Sequence, residues 1–471
     1  MTAPDGGPPD RRYPGSPVLW RLAVLGTSIF YRIDRVGPPL PDGPVLLVAN
    51  HPNTVLDPAV IQGTATRPVR FLAKSTLFER HVLSPFVRRS GAIPVYRRID
   101  PGVDTARNVE TFAAVERALA EGDAICLFPE GVSHVSGRLE PLRTGAARMA
   151  LAAAAAGRRV AIVPVGLNFD RLPMFRSRMT ALYGRPFDPG DLVDAFRADP
   201  HRATRILTDR IAARLRRVMI EADPRADLPL VDRVDRLYAA ARGVSRDPAE
   251  RVRRRRLIAR GMDRLREEHS DRYDAILGDV LAHDEQLRAL GLREQDLDRR
   301  MPAGRVLRFV LREGGRSLVT GPLAALALVC FAVPYYGTWA LSAKAPDPQS
   351  RAAWEVVGGT VVYGAWIAAL SVASGLWFGG GIGAATAAAL VGLAFTGLSA
   401  IERQAAVVRL VRAFLATRQT PLRARARLKR QRAAIAAVLE RVHGWLSAQG
   451  PGAGAGPVAP APDGPAPRPD P

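Results

Sequence analysis

A histidine and an aspartate lie just beyond a short apolar run near residue 50. Residues 45–48 have the length and β-branched content of a buried strand, which the turn-prone residues 50–53 bring to an end. His51 lies in this turn and Asp57 follows it. An imidazole can act as a general base when a carboxylate holds it in one tautomer. The alternative is that His51 only caps the strand and that Asp57 caps the next helix.

Two arginines follow another apolar segment. Arg97 and Arg98 come directly after the sequence Gly-Ala-Ile-Pro-Val-Tyr at 91–96. A guanidinium can hold a phosphate through two parallel hydrogen bonds, so this strand end is a candidate phosphate clamp. The chain is rich in arginine, however, and solvated surface charge is the more common state of such a pair.

A third strand end carries Pro129-Glu130-Gly131, with Ser133 two residues further on. Gly131 allows backbone N–H groups to approach a ligand closely, and the Glu130 carboxylate can accept hydrogen bonds from hydroxyl groups. Arg143 lies just before a predicted helix, whose N-terminus favours anions. We expect these residues to bind substrate. Ser133 is a secondary candidate, for which a structural role is equally open.

Short apolar runs alternate with helical patterns between residues 37 and 225. The predicted strands are 45–49, 69–73, 93–96, 124–128, 160–165 and 180–183. The predicted helices are 57–62, 82–90, 106–121, 145–156 and 200–221. This alternation predicts an α/β domain in which helices flank a largely parallel sheet. Pro164 lies within the fifth of these strands and indicates an edge strand or a bulge beside a site.

Four blocks together resemble the phospholipid/glycerol acyltransferase superfamily, over roughly residues 37–225. In chain order they are Asn50-His51 to Asp57, Gly91-x-Ile-Pro-Val-x-Arg97, Phe128-Pro-Glu-Gly-x-Ser133 and Val163-Pro-Val165. Any one block is a weak signal, but four in the family's order make a strong one.

Two departures from the family pattern indicate which branch of the superfamily the chain resembles. Five residues separate His51 from Asp57, where most of the superfamily has four. Ser133 stands where an arginine or a threonine often follows Pro-Glu-Gly. Both features resemble the branch of the fungal-type glycerol-3-phosphate/dihydroxyacetone-phosphate acyltransferases.

The resemblance implies acyl transfer in one step, without an acyl-enzyme, a metal or a cofactor. His51 would deprotonate the acceptor hydroxyl, which attacks an acyl thioester, and Asp57 would orient His51. Acyl-CoA or acyl carrier protein would be the co-substrate. Lys74 is a second-tier candidate, for which a structural role is equally open.

The resemblance also implies substrate-binding roles for the other motif residues. Arg97, with Arg98 and Arg143, would hold the acceptor phosphate. Glu130 and Gly131 would position the glycerol backbone.

The implied function is that of a membrane-bound O-acyltransferase of phospholipid biosynthesis. It would move a fatty acyl group to a hydroxyl of glycerol 3-phosphate or dihydroxyacetone phosphate. A lysophosphatidate acyltransferase, acting on the second position, is the main alternative, because the sequence does not show the acceptor pocket. A catalytically silent lipid-binding membrane protein is a further alternative. The intact set of His51, Asp57, Arg97 and Glu130 argues against it.

The composition indicates anionic partners. The net charge is +22, and the positive charge comes almost wholly from arginine, since lysine occurs only at 74, 344 and 429. Anionic membrane lipids fit better than nucleic acid, because zinc-finger spacing is missing, aromatic residues are few and a long apolar region is present. The two cysteines, Cys126 and Cys330, lie in separate apolar runs and make no disulfide framework, which fits a reducing compartment.

The segments on either side of the α/β domain differ in charge. Residues 1–16 are predicted to be disordered. Residues 17–36 are predicted to form an interfacial helix that is too short and too charged to span a bilayer, with a buried core helix as the alternative. Residues 226–315 form a charged helical region with a helix start at Asp247-Pro248. The run Arg253–Arg256 predicts either a solvated helical surface or docking against anionic headgroups.

Residues 316–401 are the predicted membrane region. Val356 to Ile401 contains 46 residues without a charge, enough for a spanning hairpin that turns near residues 379–381. The apolar segment 317–342 is interrupted by Pro322 and Pro334, which favours a re-entrant or in-plane segment, with a third span as the alternative. Arginines on both flanks of the region predict that the catalytic domain lies on the cytoplasmic face.

The C-terminal part begins with a basic helix. Within 402–448, Thr420-Pro421 precedes a helix with Leu428, Ile435 and Leu439 along one side and arginines elsewhere. This pattern predicts a membrane-surface helix, with packing against a partner helix as the alternative. Residues 449–471 are rich in Pro, Ala and Gly and are predicted to be disordered.

Overall fold

The computed structural model describes residues 15–448, apart from short gaps at 55, 80–83, 101, 135–136, 172–173, 223–226, 245–246, 299–302 and 346–350. The predicted disorder at 1–16 and 449–471 therefore lies almost wholly outside the described residues. Within them, the chain forms a sheet with covering helices, followed by a series of long helices.

Seven strands form one sheet in the described part of the chain. They are β1 (Arg32–Val36), β2 (Val45–Ala49), β3 (Val69–Lys74), β4 (Ile93–Val95), β5 (Ala124–Leu127), β6 (Ala161–Phe169) and β7 (Arg178–Tyr183). Their order across the sheet is β1-β7-β6-β2-β5-β3-β4. Neighbouring strands are parallel except for β6 and β7. The predicted α/β fold with a largely parallel sheet is confirmed.

The helices fall into three groups. Those around the sheet are α1 (Pro17–Phe30), α2 (Leu56–Thr64), α3 (Ser84–Arg89), α4 (Asn108–Ala120), α5 (Gly145–Ala155), α6 (Val193–Ala198) and α7 (Pro200–Leu215). The charged region contains α8 (Leu228–Arg242), α9 (Pro248–Glu268), α10 (Ser270–Ala289) and α11 (Glu294–Asp298). The C-terminal part contains α12 (Ala303–Cys330), α13 (Ala332–Ser342), α14 (Arg351–Ala353), α15 (Gly359–Phe378), α16 (Gly380–Gln419) and α17 (Leu422–Ala448), with a π-helical turn at Trp354–Gly358.

β2 lies at the centre of the sheet and is buried on both faces. Because side chains alternate along a strand, Leu46 and Val48 join the core under α4, α5 and α7. Leu47 and Ala49 join the core under α1 and α2. Burial of each leucine stabilises the fold by about 1.5–3 kcal/mol, so the strand that ends in His51 is held firmly from both sides.

Residues 17–36 do not form one helix, which corrects the predicted boundary at 37. α1 ends at Phe30, and β1 pairs in parallel with β7 at the edge of the sheet. The apolar pattern of β1 is weak because Asp34 and Arg35 separate Ile33 from Val36. Pairing with β7, which is remote in sequence, decides its conformation.

Pro164 lies in an interior strand and beside a bulge. Its strand, β6, pairs with β2 on one side and with β7 on the other. Ile162 pairs with Phe187 and Val165 pairs with Tyr183, so two residues of β6 (163 and 164) oppose three residues (184–186) of the neighbouring segment. A proline lacks the N–H that a regular ladder needs, and the bulge accommodates it. The bulge prediction is confirmed and the edge-strand prediction is wrong.

The arginine run at 253–256 is not one solvated surface. Arg255 is buried, and its guanidinium donates to Asp170 (2.6 Å), Asp235 (3.3 Å) and Asp232. Asp170 directly follows β6, so this cluster ties α9 to the sheet. The sequence could not show this because the acceptors lie far from Arg255 along the chain.

The basic C-terminal helix packs on the charged helical region, which corrects the prediction of a membrane-surface helix. Ile435 and Ala436 of α17 pack with Val234, Leu237 and Val280 of α8 and α10. Leu428 joins a second cluster that includes Leu287. The apolar side of α17 is therefore covered by helices of the same chain.

Two helices of the described chain are long and apolar enough to cross a membrane, Arg351–Phe378 and Gly380–Gln419. Gly379 separates them with a positive φ of 98°, which confirms the predicted turn. The pair Thr320–Cys330 and Ala332–Ser342 is bent by 53°, as a broken span or a re-entrant segment would be. The predicted boundaries after 315 and 401 both fall inside continuous helices, α12 and α16.

Candidate active site

His51 and Asp57 meet at the carboxyl end of β2. His51 Nδ1 lies 2.8 Å from Asp57 Oδ2, and the His51 side chain is 18% exposed while that of Asp57 is fully buried. Asp57 Oδ2 also accepts from the Asn53 N–H at 2.8 Å. A carboxylate on Nδ1 fixes the tautomer in which Nε2 is free to accept a proton. The pair can therefore act as a general base and its orienting group.

Burial raises the pKa of the Asp57 carboxyl, while the hydrogen bonds from His51 and from the Asn53 N–H lower it. Burial outweighs these bonds, because the desolvated carboxylate has lost its water. The contact with His51 therefore stabilises the ionised form of Asp57 against the cost of its burial.

The five-residue spacer between the pair is accommodated by a local backbone adjustment. Thr54 has φ = 38°, in the left-handed region that a β-branched residue rarely adopts. Asn53 is buried and donates from Nδ2 to the Tyr31 hydroxyl at 3.0 Å. Thr54 therefore turns the chain within the loop, and α2 presents Asp57 to His51.

Glu130 holds the loop around His51. Its carboxylate accepts from the backbone N–H of His51 (3.0 Å) and of Glu140 (3.0 Å), and it pairs with the His134 ring. The side chain is fully buried. These bonds occupy both oxygens, so in this structure Glu130 positions the general-base candidate.

Phe128 is a site residue that the sequence argument did not single out. Its ring stacks on the His51 imidazole with 4.0 Å between centroids and 11° between planes. Stacking fixes the plane of the imidazole, and the hydrogen bond to Asp57 fixes its rotation. The signal in the sequence that could have identified it is its position directly before Pro129-Glu130-Gly131.

Arg97 is occupied by protein groups. Its Nε and Nη2 donate to the two oxygens of Asp100 at 2.9 and 2.6 Å, and its Nη1 donates to the Gly131 carbonyl at 2.6 Å. The Arg97 contact lowers the pKa of the Asp100 carboxyl. Arg97 thus joins the end of β4 to the Pro-Glu-Gly turn, and Asp100 is the partner that the sequence argument missed.

Three other cations border the same space. Arg98 and Arg143 are exposed and Lys74 is half-buried, and each lines the large cavity beside His51. Arg143 is held near the turn because its N–H donates to the Pro129 carbonyl at 2.7 Å. Its side chain crosses Gly131, where φ is 76° and an added Cβ would lie 3.3 Å from Arg143 Cγ. Glycine is therefore favoured at this position.

The large cavity has a volume of about 1230 Å³ and mostly apolar walls. Its lining includes His51, Ser133 and the three cations, and also residues of α1 and α15. This volume exceeds the usual range of small-molecule sites, about 300–1,000 Å³. A second cavity beside His51, of about 70 Å³, has room for only a few water molecules. The large cavity is the one that can hold a substrate with a long apolar part.

The structure brings the predicted residues together. His51, Arg97, Arg98, Gly131, Ser133 and Arg143 all line the large cavity. Asp57 and Glu130 lie behind His51 and hold it. Because β2, β4 and β5 are parallel members of one sheet, the loops that follow them meet at its carboxyl edge.

Comparison with known proteins identifies the domain. The acyltransferase family model matches residues 32–168, which contain all four sequence blocks. An uncharacterized acyltransferase of Schizosaccharomyces pombe, C1718.04, is 29% identical over 204 residues, covering 42% of this chain and 29% of that protein. Glycerol-3-phosphate O-acyltransferase 2 of Saccharomyces cerevisiae is 34% identical over 134 residues, covering 28% of this chain and 18% of that protein. The chain thus matches less than a third of the length of either relative.

Among solved structures, the 1-acyl-sn-glycerophosphate (LPA) acyltransferase PlsC from Thermotoga maritima aligns with a TM-score of 0.30 at 16% identity. The alignment covers 42% of this chain and 80% of that chain, and the similarity is too low to carry an argument. The family model, the yeast relative and the order of the four blocks agree with one another. Residues 32–168 thus form an acyltransferase domain, and this part of the chain is similar to a yeast glycerol-3-phosphate O-acyltransferase.

Proposed function

We propose that this chain is a membrane-bound O-acyltransferase that moves a fatty acyl group from an acyl thioester to a hydroxyl of glycerol 3-phosphate or dihydroxyacetone phosphate. The observation that carries the proposal is the pairing of His51 with Asp57 at the wall of a large apolar cavity. Yeast glycerol-3-phosphate O-acyltransferase 2, over the matched part, supports the choice of acceptor.

The chemistry follows from the orientation of the imidazole. His51 Nε2 takes the proton of the acceptor hydroxyl as its oxygen attacks the thioester carbonyl carbon. Asp57 stabilises the imidazolium that forms. When the tetrahedral intermediate collapses, the C–S bond breaks and the leaving thiolate takes the proton from His51. Acid and base are thus the same residue, and the products are an ester and a free thiol.

Arg98 and Arg143 bind the acceptor phosphate in this proposal, with Lys74 beside them. They are favoured over Arg97 because Asp100 and the Gly131 carbonyl already occupy the Arg97 guanidinium. Arg97 and Glu130 act as positioning residues: the first holds the turn at Gly131, and the second holds the loop at His51. Ser133 lines the cavity near the acceptor.

In this proposal the reaction takes place at the membrane surface. Two helices of the described chain can span a bilayer, and their arginine-rich flanks favour a catalytic domain on the cytoplasmic side. The donor, acyl-CoA or acyl carrier protein, reaches the site from that side.

The test is an acceptor comparison with purified full-length protein in detergent. Palmitoyl-CoA and, separately, palmitoyl acyl carrier protein are offered with glycerol 3-phosphate, dihydroxyacetone phosphate or lysophosphatidate. We expect acylation of glycerol 3-phosphate or dihydroxyacetone phosphate. Acylation of lysophosphatidate alone would assign the second position instead. Binding of palmitoyl-CoA without transfer to any acceptor would leave a lipid-binding protein and refute the catalytic proposal.

A further inference from the structure

The large cavity is walled by the C-terminal membrane hairpin as well as by the acyltransferase domain. Val356, Val357, Thr360 and Val361 line it, and these residues lie far beyond the family match at 32–168. Val356 also belongs to the core that covers one face of the sheet. The hairpin is therefore built into the wall of the active-site cavity.

Along this wall, α1 and α15 touch at one position and leave a gap at another. At Gly26 of α1, an added Cβ would lie 3.4 Å from both Val356 Cγ1 and Thr360 Oγ1, so the two helices touch there. Near this contact, Leu22 of α1 is 51% exposed and Val361 of α15 is 65% exposed, although both line the cavity. The cavity thus reaches the protein surface between α1 and α15.

Ion pairs fix the hairpin against the domain. Glu402 of α16 accepts from Arg176 Nε at 2.5 Å and from Arg32 Nη2 at 3.1 Å. Arg176 Nη1 also donates to the carbonyls of Ser28 and Ile29, at the end of α1, at 3.1 Å each. One arginine therefore joins α1 to α16, and the opening between α1 and α15 is held in a defined position.

The opening lies within the candidate span Arg351–Phe378. Thr360 and Val361 belong to the first turn of α15, within the apolar segment that can cross a bilayer. Apolar side chains exposed at such a position contact lipid when the protein is in a membrane. The opening therefore faces the bilayer.

We propose that the gap between α1 and α15 is a lateral entrance through which the acyl chain of the donor extends from His51 into the bilayer. This inference rests on the proposed function, because it assigns the cavity to an acyl chain. It makes α15 a determinant of which acyl chains are accepted.

Photolabelling tests the entrance without requiring turnover. Hexadecanoyl-CoA with a diazirine at the terminal carbon is bound to the full-length protein in nanodiscs and irradiated, and the labelled peptides are mapped by mass spectrometry. We expect labels on residues 19–26 of α1 and 356–361 of α15. Labels confined to the part of the cavity lined by α5, at Ala146 and Met149, would overturn the entrance whether or not the protein transfers acyl groups.

A substitution pair supplies the kinetic arm. Val361→Trp fills the gap, while Val372→Trp places the same side chain at a 60% exposed site on the same helix, away from the cavity. We expect Val361→Trp to lower the ratio of hexadecanoyl to hexanoyl transfer by about tenfold, the usual scale for overfilling a packed passage. Val372→Trp should leave the ratio unchanged. Equal ratios in the two variants and the parent would overturn the entrance, whereas a parent that transfers neither chain would refute the proposed function.

Discussion

Two of the histidine–carboxylate pairs among the described residues, one at the cavity and one between helices, have different surroundings. His51 Nδ1 lies 2.8 Å from Asp57 Oδ2, and His283 Nε2 lies 3.1 Å from Glu294 Oε1. The second ring nitrogen of His283 lies 3.3 Å from Gln431 Oε1. Within the described residues, no hydrogen-bond partner contacts His51 Nε2, and the ring borders a large cavity.

The difference shows what makes such a pair a candidate for catalysis. Both ring nitrogens of His283 contact side chains that join α10 to α11 and α17. Neither nitrogen is therefore available to a substrate. His51 keeps one nitrogen free beside a space that admits a ligand. The carboxylate contact is thus shared by both pairs, and the free nitrogen with its cavity distinguishes them.

The largest expected effect separates the two histidines by activity. His51→Ala should lower kcat by about 100-fold or more, the scale for losing a general base, with little change in the acceptor KM. His283→Ala should keep kcat at low temperature and lower the melting temperature. Steady-state kinetics and thermal unfolding of both variants in the same detergent check this. A His283 variant that loses activity as severely as the His51 variant would end the distinction.

A second comparison, between a buried and an exposed arginine of α9, concerns stability. Arg255 is buried and paired with three carboxylates. Arg255→Ala leaves Asp170 without its ion-pair partner, while Asp232 and Asp235 keep Arg236 and Arg254. We expect the free energy of unfolding to fall by about 1–3 kcal/mol, the scale for leaving a buried polar group unsatisfied. Arg253, two residues away on α9, is exposed, and Arg253→Ala should change this free energy by less than about 0.5 kcal/mol. Denaturant unfolding measures both variants. Similar losses in the two would show that the cluster does not anchor α9.

The exposed cations at the cavity should affect binding more than turnover. A charge-assisted hydrogen bond is worth roughly 1.5–3 kcal/mol, so Arg143→Glu should raise the acceptor KM by at least about 10- to 150-fold. The donor KM should change little. Arg159→Glu makes the same charge change at an exposed site outside the cavity and should alter neither constant. If Arg143→Glu raised the donor KM and spared the acceptor KM, the two substrates would have to be exchanged in the site.

The smallest expected effect is a pH dependence of the second pair. Burial by itself lowers the pKa of His283, but hydrogen bonds with Glu294 and Gln431 outweigh it and raise the pKa above its usual value of about 6.5. A raised histidine pKa contributes stability that is complete below about pH 6.5 and is lost as the pH rises through the folded-state pKa. Thermal unfolding between pH 6 and pH 9 should show this decline in the parent and a smaller one in His283→Ala. Identical pH profiles in the parent and His283→Ala would show that protonated His283 does not stabilise the fold.

Several features were predictable because their signals are local. The five apolar residues of β2 indicate a strand buried on both faces, and the structure confirms it. Asp247-Pro248 predicts a helix start, and Asp247 accepts from the Glu250 N–H at the cap of α9. The glycines at 379–381 predict the turn of the hairpin. Each of these signals depends on residues within a few positions of one another.

Other features could not be predicted because their partners are remote in sequence. β1 is a strand because β7, about 145 residues later, offers it an edge for pairing. Asp170, 85 residues before Arg255, decides that this arginine is buried. The apolar side of α17 fits a membrane surface or a helix equally well, and only the presence of α8 and α10 decides between them.

The sequence by itself determined the α/β class, the motif residues at the strand ends and the apolar length of the hairpin, since periodicity, turn residues and composition are written along the chain. Only the tertiary structure decided which of those residues are already bonded to protein groups. Arg97 and Glu130 are turned toward protein partners, while Arg98 and Arg143 remain exposed. The reason is that a charged group is fixed by the partner that satisfies it at lowest desolvation cost, and the fold supplies that partner.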